Sequence, residues 1–121
     1  MENPKKNLSQ NFLIDKNICK KIVNLAKINN NIILEIGPGH GFMTDFILKQ
    51  KPSKLYLIEK DLRLVNLLKK KYEKNKVVTI ISNDILKHDF RKYKNLIIIS
   101  NLPYNISTKI ILYLFKFNSN I

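Results

Sequence analysis

Four short stretches hold residue types whose spacing could do chemistry. In "EIGPGHG" (35–41) sit all three glycines of the chain, Gly37, Gly39 and Gly41. Alternate glycines directly after an apolar run let the backbone turn tightly and leave bare main chain against which a ligand can lie. The spacing is G-x-G-x-G rather than the G-x-G-x-x-G of a dinucleotide cradle, and Pro38 stiffens the turn. That leaves another nucleoside-linked ligand, or a helix-start turn with no ligand at all. Glu59, 22 positions beyond Gly37, could accept hydrogen bonds from both hydroxyls of a ribose, or simply pair with Lys60 or Arg63. Asp84, in "SNDIL", could accept from an adenine amino group while the following backbone N–H, that of Ile85, reads a ring nitrogen. An N-cap or Asx turn is the structural alternative.

The fourth stretch is "NLPY", residues 101–104. An exocyclic amine on an aromatic base is a poor nucleophile because its lone pair is delocalised into the ring. Two acceptors aimed at its hydrogens, the Asn101 side-chain oxygen and the Leu102 carbonyl, would draw the nitrogen towards tetrahedral geometry. Pro103 fixes the turn and brings no competing donor, and Tyr104 offers a flat face for an extruded base. In isolation the same four residues could be an ordinary proline turn.

These stretches need elements to hold them. "NIILEI" (31–36), "SKLYLIE" (53–59), "KVVTIIS" (76–82) and "NLIIIS" (95–100) read as strands, each a continuous apolar run rather than an alternating one. Such runs belong to strands covered on both faces, hence to a parallel sheet with helices on each side. Helical patterns fall between them. Residues 15–28 place Ile18, Ile22, Leu25 and Ala26 inward; 41–51 carry Phe42, Phe46 and Ile47; 61–74 start at Asp61 and carry Leu64, Leu67, Leu68 and Tyr72. "ISTKIILYLFKF" (106–117) reads as a last helix with Ser107 near its start. The expected fold is α/β, a Rossmann-like doubly wound parallel sheet, in which ligands bind at the carboxyl ends of the strands. The four chemical stretches all follow such ends.

The chain has 121 residues, with 22 Lys and Arg against 9 Asp and Glu, a formal charge of +13. A basic surface concentrates polyanions such as nucleic acid. Only Arg63 and Arg91 are arginine, and lysine, asparagine and isoleucine are abundant, so the base composition of an AT-rich genome could account for part of the charge. No apolar run approaches the roughly 20 residues of a membrane span. The start "MENPKKNLSQNF" lacks the apolar core of a secretion signal. A single cysteine, Cys19, rules out an internal disulfide and a multi-cysteine zinc site. His40 and His88 stand in different loops without a carboxylate cluster, so no metal is expected. These features imply a cytoplasmic protein.

Together, "LSQNFLIDKNI" (8–18), "EIGPGHGFMT" (35–44), "YLIEKD" (56–61), "NDIL" (83–86) and "NLPYNIST" (101–108) resemble, in order, the blocks of the rRNA adenine N6-dimethyltransferase family. The likeness is to the enzymes that dimethylate two adjacent adenines near the 3′ end of 16S small-subunit rRNA during ribosome biogenesis. It implies a class I methyltransferase fold and S-adenosyl-L-methionine as cofactor. Carried onto this chain, Asn11 and Leu13 would close over the cofactor, and Gly37 and Gly39 would meet its methionine part. Glu59 would take the ribose, Asp84 and Ile85 the adenine. Asn101 would link cofactor and target amine, Leu102 and Pro103 would complete the catalytic turn, and Tyr104 would stack on the target. The partner implied is small-subunit rRNA or an immature 30S-type subunit. Alternatives are a large-subunit rRNA methyltransferase of the antibiotic-resistance type and a non-catalytic RNA-binding relative.

The family's proteins are about twice as long. The resemblance therefore implies that residues 1–121 are the amino-terminal portion of the catalytic domain. That portion is truncated after the fourth strand and its following helix, without the fifth strand or the helical RNA-binding domain. On that expectation "LIIIS" becomes an open edge that invites self-association, and the chain methylates rRNA weakly or not at all.

Overall fold

A computed structural model describes residues 16–17, 20–21, 23–93, 95–104 and 107–116, the last two from Asn101 on by their backbone alone. Residues 16–17, 20–21 and 23–25 are helical. After them come β1 (Ile32–Ile36), α1 (Phe42–Lys49), β2 (Lys54–Glu59), α2 (Leu62–Lys71) and β3 (Val78–Ser82). A 3-10 turn at Ile85–Lys87, β4 (Asn95–Tyr104) and β5 (Ser107–Lys116) complete the order.

The sheet runs β3-β2-β1-β4-β5. The first four strands are parallel, and β5 lies antiparallel to β4. Successive side chains of a strand point to opposite faces, so each of these apolar runs supplies two cores. On one face Ile33, Leu55, Leu57, Ile97 and Ile99 meet Met43 and Ile47 of α1, Leu68 of α2, and Val23 and Ala26. On the other, Leu34, Ile58, Leu96 and Ile98 are covered by Tyr93, with Ile85 and Phe90 packed against them. The α1 and α2 connections thus cross one face and the β3–β4 connection the other, as a doubly wound sheet requires.

Three expectations change. Residues 106–117, read as a helix, instead supply β5, whose ten positions pair with Asn95–Tyr104 from Asn95↔Lys116 to Tyr104↔Ser107. A short apolar run such as Ile110–Phe115 does not separate helix from strand by periodicity, and its isoleucines and aromatics favour a pleated surface. An unpaired edge on β4 supplies the template, since it would otherwise leave its N–H and C=O groups without partners. For the same reason "LIIIS" is not an open edge: it lies between β1 and β5, which removes the premise for self-association there. Lastly, two leucines placed inward face outward. Leu25 is 75% exposed and Leu67 is 38% exposed, while Val23 and Val65, two positions earlier, are buried. Ile18 and Ile22 lie outside the described residues.

Candidate active site at the carboxyl ends of the strands

The strand register sets the site. Ile36 at the end of β1 stands level with Ile58 of β2 and Ser100 of β4. One residue further on, Gly37, Glu59 and Asn101 follow in one row. The Gly37 N–H donates to the Ile58 carbonyl (3.0 Å), and the Asn83 N–H to the Glu59 carbonyl (3.1 Å), which brings the Asp84 turn to the same end. With neighbouring strands about 4.8 Å apart, the Glu59 and Asn101 backbones stand roughly 10 Å from each other across the glycine turn.

All three glycines have positive φ: 65° at Gly37, 60° at Gly39 and 91° at Gly41. Two of them do so for different reasons. A Cβ on Gly41 would lie 2.5 Å from the Tyr72 hydroxyl oxygen, so packing excludes a side chain there. A Cβ on Gly39 would meet nothing within 4 Å. Among the described residues the bare backbone at Gly39 therefore faces open space rather than a packed neighbour.

The turn is held from behind by the end of α2. Tyr72 donates its hydroxyl to Asp45 Oδ1 (2.7 Å), and its oxygen lies 3.2 Å from the Gly41 carbonyl. Lys71 Nζ donates to the His40 carbonyl (3.0 Å) and to Asp45 Oδ2 (3.2 Å). Burial and the Asp45 hydrogen bond raise the Tyr72 pKa, so the phenol stays protonated as the donor.

Beneath the turn lies Glu35, a residue sequence reasoning passed over. It is fully buried on β1, where Oε1 accepts from the Thr44 hydroxyl (2.5 Å). Oε2 is buried with no partner among the described residues. Burial pushes its pKa up to about 8, with the Thr44 hydrogen bond opposing the shift. The signal was present: an acid breaks the apolar run at 32–36, on the same strand face as core residue Ile33.

Glu59 is 9% exposed at the end of β2. Its Oε2 accepts from the Asp61 N–H (3.0 Å), while Arg63 pairs with Asp61 (3.7 Å). Asp61 also caps α2 by accepting from the Arg63 N–H (2.9 Å). Asp84 Oδ1 accepts from the Leu86 N–H (3.0 Å) and caps the 3-10 turn, so the structural alternative for this residue is realised through one oxygen. Ile85 is half-buried in the second core.

Asn101, Leu102, Pro103 and Tyr104 were placed in a loop after the fourth strand. They instead continue β4, level with Ile110, Lys109, Thr108 and Ser107 of β5. Pairing with β1 stops at Ser100, so this stretch projects past the end of β1 with one side unpaired among the described residues, a place where a strand tolerates proline. Asn11 and Leu13 lie outside the described residues, as does Cys19. His88 Nε2 lies 2.8 Å from the Tyr93 hydroxyl. Among the described residues no group of three or more His, Cys, Asp or Glu is placed to hold a metal, and no helix is long and apolar enough to cross a membrane.

A mostly parallel sheet with a glycine turn after β1 and an acid closing β2 is the architecture of α/β methyltransferases, and solved structures agree. A dimethyladenosine transferase from Plasmodium falciparum matches 75% of this chain and 33% of its own, at 34% identity and a TM-score of 0.61. The 23S rRNA methyltransferase ErmE has the same fold, at a TM-score of 0.60 and 16% identity, over 73% of this chain and 47% of its own. The profile of the family "Ribosomal RNA adenine dimethylase" matches residues 1–120, and the chain belongs to that family. Among curated relatives, the ribosomal RNA small subunit methyltransferase A of Pelagibacter ubique is 50% identical over 109 residues, 88% of this chain and 41% of the relative. That of Malacoplasma penetrans is 44% identical over 114 residues, 91% and 40%. The chain thus spans about two fifths of the length of these relatives.

Proposed function

We propose that residues 1–121 form the S-adenosylmethionine-binding part of a small-subunit rRNA adenine dimethyltransferase, acting on the 6-amino groups of two adjacent adenines near the 3′ end of that RNA. The single observation that carries the reading is the register row that sets the glycine turn, Glu59 and the Asn101 backbone at one end of the sheet. The family match and the names of the relatives support it.

The open space at Gly39 and the acid closing β2 fit such a cofactor, which when bound supplies an electrophilic sulfonium methyl. Gly37 and Gly39 would take its methionine part against bare main chain. Glu59 would accept from the ribose hydroxyls, its Oε2 already oriented by the Asp61 N–H. Asp84 and Ile85 would border the adenine, with Asn11 and Leu13 closing from the amino-terminal side. Asn101 and the Leu102 carbonyl would accept the hydrogens of the target amine, Pro103 would keep the stretch free of a competing donor, and Tyr104 would stack on the base. No strong base is needed, because the amine becomes acidic only after it has attacked. Holding nucleophile and methyl in line supplies most of the acceleration.

Titration calorimetry with S-adenosylmethionine and with NAD, followed by methyl transfer to small-subunit rRNA, tests this. Preference for NAD, or binding of neither, overturns it. Methylation confined to large-subunit RNA would favour the ErmE-like alternative.

A further inference from the structure

The opposite end of the sheet carries a second concentration of charge, with nothing in the candidate site to explain it. Lys27 precedes β1, Lys51 and Lys54 enter β2, and Lys76 precedes β3. Hydrogen bonds tie these turns together: Asn30 N–H to the Lys51 carbonyl (3.0 Å), Ser53 N–H to the Asn31 carbonyl (2.9 Å), and Leu55 N–H to the Val77 carbonyl (3.0 Å). Lys27, Lys51 and Lys76 are exposed and Lys54 half-exposed. None of the four is in an ion pair among the described residues, and Lys54 Nζ lies 5.6 Å from the centre of the Tyr56 ring. Among the described acids, Asp45, Glu59, Asp61 and Asp84 stand at or after the carboxyl ends of strands, Glu35 is buried within β1, and Asp89, on the connection into β4, is paired with Arg91. Glu73, between α2 and β3, is the acid nearest in sequence to this end and is followed by Lys74 and Lys76.

Base composition does not explain all of it. Lys27 and Lys51 close their helices at φ 52° and 56°, a left-handed conformation that costs a lysine more than it costs glycine or asparagine. Asparagine is as AT-rich in its codons as lysine, and the chain uses it at the neighbouring Asn30, φ 61°. Lysine at the other two turns adds charge where the backbone favours a neutral residue. Near them a cavity of about 210 Å³ is lined by Lys20, Val23, Asn24, Phe46, Lys49 and Gln50. Lys49 Nζ sits 5.4 Å from the centre of the Phe46 ring.

We infer that the amino-terminal end of the sheet is a docking surface for the phosphate backbone of structured RNA, separate from the site that would take the target adenine. Five residue steps of β2 separate Lys54 from Glu59, roughly 17 Å, a span that a folded RNA bridges and a single nucleotide does not. Contacts of this kind position the substrate without reading its sequence. The inference rests on the reading that the substrate is RNA.

The test uses the whole chain and a transcript of the 3′-terminal domain of small-subunit rRNA, with affinity followed by fluorescence anisotropy through a salt titration. Replacing both lysines (Lys27→Asn with Lys51→Asn) removes two charges yet suits the left-handed turns, so the thermal midpoint should hold or rise. RNA affinity should fall roughly tenfold near 0.1 M salt, and the salt slope should flatten by about 1.5. Lys27→Arg with Lys51→Arg should retain both. A folded Asn variant that binds RNA as tightly, with an unchanged slope, overturns the inference. So does loss of binding to phosphatidylserine vesicles with RNA affinity intact, which would assign the surface to a membrane. Were S-adenosylmethionine binding absent while the Asn variant still lost RNA affinity, the methyltransferase reading would fall and the docking surface would stand.

Discussion

At the carboxyl ends of the strands, positive φ angles are carried by Gly37, Gly39 and Gly41; at the amino ends, nearly the same angles are carried by Lys27, Asn30 and Lys51. The chain therefore does not reserve glycine for every left-handed turn. It places glycine where a side chain would collide with Tyr72, as at Gly41, or would meet nothing among the described residues, as at Gly39. Charge divides the same way. Acids at the carboxyl end are engaged: Asp45 with Lys71 and Tyr72, Asp61 with Arg63, Glu59 with the Asp61 N–H. Lysines at the amino end are in no ion pair among the described residues, Lys54 alone of the four resting against a ring, that of Tyr56. On the two readings proposed above, one end would surround a small ligand and the other attract an extended polyanion.

The largest expected effect probes the buried acid beneath the glycine turn. Glu35 has a folded pKa of about 8 against 4.5 when unfolded. Between those values folding takes up a proton, so stability falls as pH rises, by up to about 1.4 kcal/mol per unit. Below about pH 4.5 both states are protonated and the slope from this group vanishes. Urea unfolding at pH 5 and pH 8 should show the decline, on the order of 4 kcal/mol, and Glu35→Gln should flatten it. A wild-type chain equally stable at both values would remove Glu35 as a distinguishing mark of this end.

Next in size is Glu59, the proposed ribose acceptor. Glu59→Gln should weaken S-adenosylmethionine binding by about 2 kcal/mol, as expected for loss of a charged hydrogen-bond acceptor, and calorimetry would read it. RNA affinity should hardly change, because the amino end is untouched; parallel losses would dissolve the distinction between the two ends.

The glycines come third. Gly41→Ala pushes against the Tyr72 hydroxyl and should lower stability by about 1–3 kcal/mol in chemical unfolding. Gly39→Ala should cost only about 1 kcal/mol, for its backbone angle, while reducing cofactor affinity. The reverse order would show that packing, not ligand space, accounts for Gly39.

The smallest effect is at the amino end. Lys51→Gly should raise stability by about 0.5–1 kcal/mol, visible as a modest rise in thermal midpoint, because glycine relieves the left-handed strain.

Much of this was legible in the amino-acid order alone. The apolar runs at 32–36, 54–59, 78–82 and 95–100 each satisfy both faces of a sheet, so their strand character and parallel order follow from composition and spacing. Asp61 and Asp84 announce helix and turn starts because a short carboxylate caps free N–H groups whatever lies beyond. The glycine turn and Glu59 were equally visible, since local backbone freedom and strand length fix where they fall. Tertiary structure decided the rest. Residues 107–116 became a strand because β4 offered an edge to pair with, a partner no local pattern reveals. The stretch 101–104 became strand for the same reason. Glu35 acquired its raised pKa only when α1 closed over it, since desolvation depends on what packs above a residue and not on its neighbours in sequence. Likewise, Lys27, Lys76 and the neighbours Lys51 and Lys54 came to one end of the sheet only when parallel strands aligned their starting ends.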